Sequence, residues 1–253
     1  MRKIEIALIV PFVVAILAGC GGNKVLKEPE PFATDEPLAT ASDPHLTVSL
    51  DWVIIRNGPG TWVKNAGWDE YLLRIRNQST QPVRLTHLFI VDSLDTRIEP
   101  LSGRKQLIKG SKETSRRYKK SGIKIKAGAG RATLRTAGLT AGGAALGAAA
   151  AGGGWATAGA IVGGGLVLAP ILAVGGVMRG SNNSKVSEAI ELRHTEIPLE
   201  LAANGEIRLD VFFPIAPSPK SLEIKYENGS GDYGLVVEIG GKLDGLHIVA
   251  PAE

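Results

Sequence analysis

The sequence predicts a mainly β fold, an antiparallel sandwich interrupted by a glycine-rich α-helical hairpin insertion. Three observations predict it. Apolar and polar residues alternate over residues 45–101 and again over 195–248. Turn signals break both stretches about every 8–12 residues, which is the rhythm of a sandwich. Between the two stretches lies a run of 43 residues, 136–178, with no charge and 13 glycines. Neither β half has enough strands to close a core alone. Residues 45–101 and 195–253 are therefore expected to pack together as one domain, of a size normal for a single core.

The chain opens on MRKIEIALIVPFVVAILAGC. Arg2 and Lys3 form a basic start, and the apolar run that follows is too short for a comfortable spanning helix. It ends in Leu17-Ala18-Gly19-Cys20, with Cys20 the sole cysteine of the chain. This ending resembles the lipobox of bacterial lipoproteins. The resemblance implies that residues 1–19 are a signal peptide cut between Gly19 and Cys20. It implies too that the Cys20 thiol carries diacylglycerol, and that added palmitate makes the anchorage stable. Gly21, rather than Asp, follows the cysteine, which in that family leans towards the outer membrane. The protein is then expected in the bacterial cell envelope, facing the periplasm.

Residues 20–44 are rich in Pro, Glu, Ala, Thr and Ser and keep no period. They read as a flexible tether with ends roughly 25–30 Å apart, long enough to lift a domain off the headgroups.

Strand signals begin with alternating Leu46, Val48, Leu50 and Trp52, then a continuous apolar stretch at 53–55. Leu73 and Ile75 oppose Arg74 and Arg76, and residues 77–82 (NQSTQP) form a turn before Val83, Leu85, His87, Phe89 and Val91. After the insertion, Ile197, Leu199 and Leu201 lead to Asn204-Gly205, a hairpin signal. Ile207 to Phe213 and Leu222 to Tyr226 alternate, Asn228-Gly229 marks another turn, and residues 234–249 close the run. The stretches 72–77, 83–92, 201–206 and 211–214 together resemble immunoglobulin-like sandwiches of small periplasmic domains, without the Cys–Trp–Cys core of antibody domains. Such a resemblance implies a fold and no activity.

The insertion has two parts. Residues 103–135, a basic arm, carry twelve Lys and Arg against one acid, Glu113, which leaves the rest of the chain acidic despite an overall charge of +4. Arg116, Arg117, Lys119, Lys120, Lys124 and Lys126 are expected to meet anionic headgroups. Nucleic acid is not expected as a partner, because Tyr118 is the one aromatic available for stacking. Residues 136–178 fit two membrane spans broken at residues 152–154, with residues 179–194 as the return connection. Gly138/Gly142, Gly143/Gly147 and Gly159/Gly163 repeat at i, i+4, the spacing that lets helices touch along one face. This resembles the glycine-zipper segments of small outer-membrane lipoproteins, and implies self-association into a homo-oligomer. The β domain is expected to fold without the insertion, so that Gly103 joined to Thr195 suffices.

Chemistry is sparse. A single cysteine excludes disulfides and multi-cysteine zinc sites. No phosphate-binding glycine loop or nucleophile elbow occurs, and the histidines at 45, 87, 194 and 247 lack metal-ligand spacing. No catalytic residue, metal or cofactor is expected, and the protein is read as a non-enzyme. His87 and Asp92 read as structural, and Trp52, Trp62 and Trp68 as core. The expected function is that of a membrane-anchored envelope lipoprotein whose hairpin inserts or self-associates. The alternative is a periplasmic module that binds an unidentified envelope protein or a ligand through the sandwich.

Overall fold

A computed structural model describes residues 22–27, 36–132, 134 and 181–250. In chain order the elements are β1 (Lys24–Val25), β2 (Ala39–Ser42), β3 (Leu46–Ile54), β4 (Val63–Lys64), β5 (Trp68–Asn77), β6 (Val83–Val91) and β7 (Arg97–Ile98). Then come α1 (Arg104–Lys120), α2 (Asn182–Arg193), β8 (Leu199–Leu201), β9 (Glu206–Pro214), β10 (Ser221–Asn228), β11 (Gly231–Glu238) and α3 (Gly240–Leu243). The fold is mainly β and its sheets are antiparallel. One sheet runs β2-β3-β5-β9, the other β11-β10-β6, and a ribbon pairs β1 with β4. Two short strands share the far edge of β6, β7 opposite Ile90 and Val91 and β8 opposite residues 83–85. The two halves of the sequence thus meet in both sheets, β5 with β9 and β6 with β10. A single buried cluster draws on both, including Leu46, Val48, Leu73 and Val211 from one and Leu85, Ile90, Leu222 and Ile224 from the other. Trp52, Trp62 and Trp68 are buried in it.

The polar corners work differently from the hairpins their sequences suggest. β5 and β6 lie in different sheets, and so do β8 and β9, so the Asn204-Gly205 turn is a crossover between sheets and not a hairpin. Asn77 explains how. Its side-chain amide is buried and donates to the carbonyls of Gln81 (2.7 Å) and Ala202 (2.9 Å), while its oxygen accepts from the Ser79 N–H (2.9 Å). One side chain therefore staples both crossovers together. Asn228-Gly229 does begin a true hairpin, with β10 and β11 paired out to Asn228 and Gly231.

The first half of the basic arm becomes α1, whose cations are mostly exposed while one stripe of the helix is buried. Leu107, Ser111, Thr114 and Tyr118 fall at i, i+4, i+7 and i+11, so they share one stripe, and all four are buried. A Cβ at Gly110 would come 2.6 Å from Pro214 Cγ, so glycine lets the helix lie close on the end of β9. Arg117, Lys119 and Lys120 occupy the last turn, where cations suit the helix dipole. The return connection contains α2, capped by Ser181 and burying Val186, Ala189 and Ile190. Residues 123–130 are fixed as well. Ile125 bridges Ile248, and the Gly128 N–H donates to His247 Nδ1 at 3.0 Å. Gly128 and Gly130 adopt φ of +75° and +66°, and a Cβ on either would come within 2.3 Å or less of a backbone oxygen, Arg56 O or Gly245 O.

Among the described residues no helix is long and apolar enough to cross a membrane. Within the described residues this contradicts the transmembrane-helix and glycine-zipper reading. Residues 136–178, with Gly138, Gly142, Gly143, Gly147, Gly159 and Gly163, lie outside the described residues, as do Gly19 and Cys20.

The insertion contributes to the core, since Leu107, Leu134, Val186 and Ile190 belong to the common cluster. Joining Gly103 directly to Thr195 removes those side chains and bares the sheet surface they cover. The product is expected to melt without cooperativity or to aggregate, as read by thermal unfolding followed by near-UV circular dichroism. A cooperative melt near that of the intact chain would show that the helices are accessory. At single-residue scale, Gly128→Ala is expected to lower stability by more than about 1 kcal/mol, through the positive φ and the clash together, in urea unfolding.

Candidate functional site

Three arrangements of polar side chains stand out, and none was legible in the sequence. The first is built on Glu70 of β5. Glu70 is buried and accepts from the Trp62 indole N–H at 2.6 Å and from Arg193 Nε at 2.9 Å. Arg193, at the end of α2, also forms an ion pair with Asp210 of β9 at 3.4 Å and lies over the Trp62 ring at 5.1 Å. The cluster holds one cation and two carboxylates, away from water. Burial, reinforced by the Glu70 charge and only partly offset by Arg193, pushes Asp210 up to about 8. Of the two carboxylates, Glu70 makes the closer contact with Arg193.

The second is the neighbouring residue, Asp69, which is paired with His247 (Nε2 to Oδ2, 2.8 Å); both are buried. Because His247 Nδ1 accepts from Gly128, the ring proton sits on Nε2 and is donated to Asp69. A His–Asp pair can orient a general base, but this one is sealed from solvent, so no substrate reaches it. It fastens the C-terminal segment and residues 123–130 to β5. The Tyr71 hydroxyl beside it is raised well above its usual range by burial and by the Asp69 charge.

The third lies where the chain begins to be described. Residues 22–27 do not hang free. β1 pairs with β4, the Leu26 N–H donates to Trp62 O at 2.8 Å, and Asn23 Nδ2 donates to Asn65 O at 2.7 Å. Arg104 of α1 donates to Asn23 Oδ1 (2.9 Å), Arg56 donates to Asn65 Oδ1 (2.6 Å), and a Cβ at Gly22 would lie 3.1 Å from Asn183 Oδ1 of α2. The tether expected over residues 20–44 is therefore pinned to the domain over its early part.

The basic residues singled out from the sequence do not form one set. Arg117 donates to buried Asp92, whose other oxygen accepts from the Leu94 and Thr96 N–H groups. Asp92 and Arg117 thus lock α1 onto the turn after β6, which is the structural role expected of Asp92. Arg116, Lys119, Lys120, Lys124 and Lys126 are exposed, and the Lys126 backbone N–H is bound to His247 O. Tyr118 is buried with its hydroxyl against Ser93 and Pro217 O, so it offers no stacking surface. A groove of about 340 Å³ runs between α1 and the β6–β7 edge, lined among others by Phe89, Arg97, Leu101, Glu113 and Arg117. Among the described residues no cluster of three or more His, Cys, Asp or Glu is placed to hold a metal ion.

Comparison with family profiles, curated proteins and solved structures finds no match.

The Asp210 environment sets a testable pH dependence. An unfolded aspartate titrates near 3.9. Between that value and about 8 the folded chain therefore holds the extra proton, and stability falls as pH rises. The contribution is whole below about pH 4 and lost above about pH 8. Asp51 is also raised, chiefly by burial, and acts with the same sign. Urea midpoints of wild type and Asp210→Asn across this range are expected to diverge, with the variant gaining relative stability as pH rises. Parallel curves would show that Asp210 is ionised throughout.

Proposed function

We propose that this protein is a non-enzymatic lipoprotein of the bacterial envelope, anchored through acylated Cys20 and facing the periplasm. The observation that carries the reading is the sequence Leu17-Ala18-Gly19-Cys20 after a short apolar run, with no other cysteine in the chain. Gly21 in place of Asp favours the outer membrane. Membrane lipid is the first partner under this reading.

The domain it anchors is read as an immunoglobulin-like sandwich. Strand order supports this. Taking β3, β5, β6, β9, β10 and β11 in sequence as the A, B, C, E, F and G strands, the sheets run A-B-E and C-F-G, with β8 beside C. That is the sorting of strands between sheets found in such domains. The insertion then replaces the connection between C and E, a loop position where added length costs little.

A second reading, a binding module for an envelope protein or small ligand, is favoured by the groove beside α1. It mixes apolar Phe89, Ile98 and Leu101 with charged Arg97 and Glu113, the usual makeup of a pocket that buries part of a ligand and orients it.

The anchor is tested by feeding cells an alkyne analogue of palmitate. Wild type is expected to take label on the peptide that begins at residue 20, and Cys20→Ser to remain an uncut, unlabelled precursor. Label retained in Cys20→Ser would sink the lipoprotein reading.

A further inference from the structure

We propose that Lys24, Lys64, Arg56 and Arg104 form a headgroup-binding face that sets the domain directly on an anionic phospholipid surface. The proposal rests on the lipoprotein reading for where that surface lies, and on the described residues for the face itself.

The first observation is the docking of residues 22–27. Gly22 is against α2, Asn23 is buried between Asn65 and Arg104, and Val25 packs against the core. Cys20 is two residues before Gly22. Two residues span at most about 7 Å even when fully extended. Acyl chains on Cys20 must therefore enter the bilayer beside this patch, and a tether of the length expected from residues 20–44 is not available to hold the domain away.

The second observation is electrostatic and independent of the anchor. Lys24 and Lys64 are directly opposite each other in the β1–β4 ribbon, and both are exposed. Like charges directly opposite across a ribbon are destabilising, yet neither lysine is within ion-pair distance of a carboxylate among the described residues. Arg56 and Arg104 each donate to one of a pair of asparagines, and among the described residues their side chains are likewise met by amide oxygens and not by carboxylates. Two opposed lysines next in sequence to Asn23 and Asn65, and two arginines bound to those asparagines, with no ion pair to a carboxylate among the described residues, form a patch that anionic phosphates would neutralise. A ribbon of two residues per strand is also a weak platform on which to hold a repulsive pair, unless something offsets the repulsion.

The inference relocates the contact with lipid. The exposed cations at the C-terminal end of α1, Arg116, Lys119 and Lys120, are up to about 24 Å along the helix from Arg104, at 1.5 Å per residue. A lipid surface within reach of Cys20 meets the start of α1 first.

The test is a lysine footprint on the intact processed protein. It is mixed with vesicles of pure phosphatidylcholine or of phosphatidylcholine with about 30 mol% phosphatidylglycerol, treated briefly with an amine-acylating reagent and read by mass spectrometry. Each Lys close to an anionic surface gains roughly fivefold in partition. On the anionic vesicles, Lys24 and Lys64 are expected to lose about fivefold or more in reactivity, while Lys112 and Lys119 keep theirs. On phosphatidylcholine, and on anionic vesicles in high salt, that protection should vanish or shrink. A paired variant, Lys24→Glu, keeps the ribbon, because the introduced carboxylate attracts Lys64 where the ammonium repelled it, but should lose protection at Lys64. Equal reactivity of Lys24, Lys64 and Lys119 on anionic vesicles overturns the proposal. So does stronger protection of Lys119, or protection seen in whole envelopes but not on vesicles, which would mark a protein partner instead. The same digest reports whether the peptide beginning at residue 20 is acylated. An unmodified peptide with Lys24 and Lys64 protected would defeat the lipoprotein reading alone and leave the face standing.

Discussion

Two adjacent carboxylates on β5, Asp69 and Glu70, constrain nearly everything else. Both are buried at the start of an inner strand, where an ionised group without a partner costs several kcal/mol. Successive residues of a strand point to opposite faces, so the two must be satisfied on different sides. Asp69 takes its proton donor from His247, and His247 in turn accepts the N–H of Gly128. Glu70 takes donors from Trp62 and from Arg193 at the end of α2. The donors come from the C-terminal segment, from the loop ahead of β4 and from both ends of the insertion. Satisfying two side chains therefore draws four separate parts of the chain onto one strand.

This explains what could and could not be read from the sequence. The strands were visible because their apolar residues keep period two, and the pairing of early and late halves followed from strand number. The crossovers were not visible, since Asn204-Gly205 carries the chemistry of a hairpin turn and only the choice of partner sheet makes it a corner. α1 was hidden by its charges. Half of its buried stripe is polar, Ser111 and Thr114 among Leu107 and Tyr118, so twelve cations across 103–135 dominated the pattern. β1 was invisible for another reason: two residues carry no period at all, and its position is held by side-chain amides at Asn23 and Asn65. The buried ion cluster could not be anticipated either, because an acidic residue in WDEYLL reads as the solvent face of a strand until the helix covering it is known.

The described start of the chain changes how an anchor at its head would act. A long flexible tether would let the domain rotate freely and sample a shell of solution above the surface. A chain pinned from residue 22 onward removes most of that freedom before any partner binds. The conformational entropy that a tethered domain loses on being oriented has here been met during folding, by the β1–β4 pairs and the hydrogen bonds of Asn23. The groove beside α1 and the outer face of β11 would then be held at fixed bearings to the surface.

The strand order also has a kinetic consequence. β5 waits for β9, and β6 waits for β10, partners well over a hundred residues further on. His247, near the end of the described chain, closes the Asp69 pair. Contacts of such long sequence separation are slow to form, because loop closure must be met before any of them adds stability. No stretch ending before β9 contains a complete core, so the chain must remain unfolded, with its apolar strands open to other molecules, until the late strands and the segment bearing His247 have been delivered.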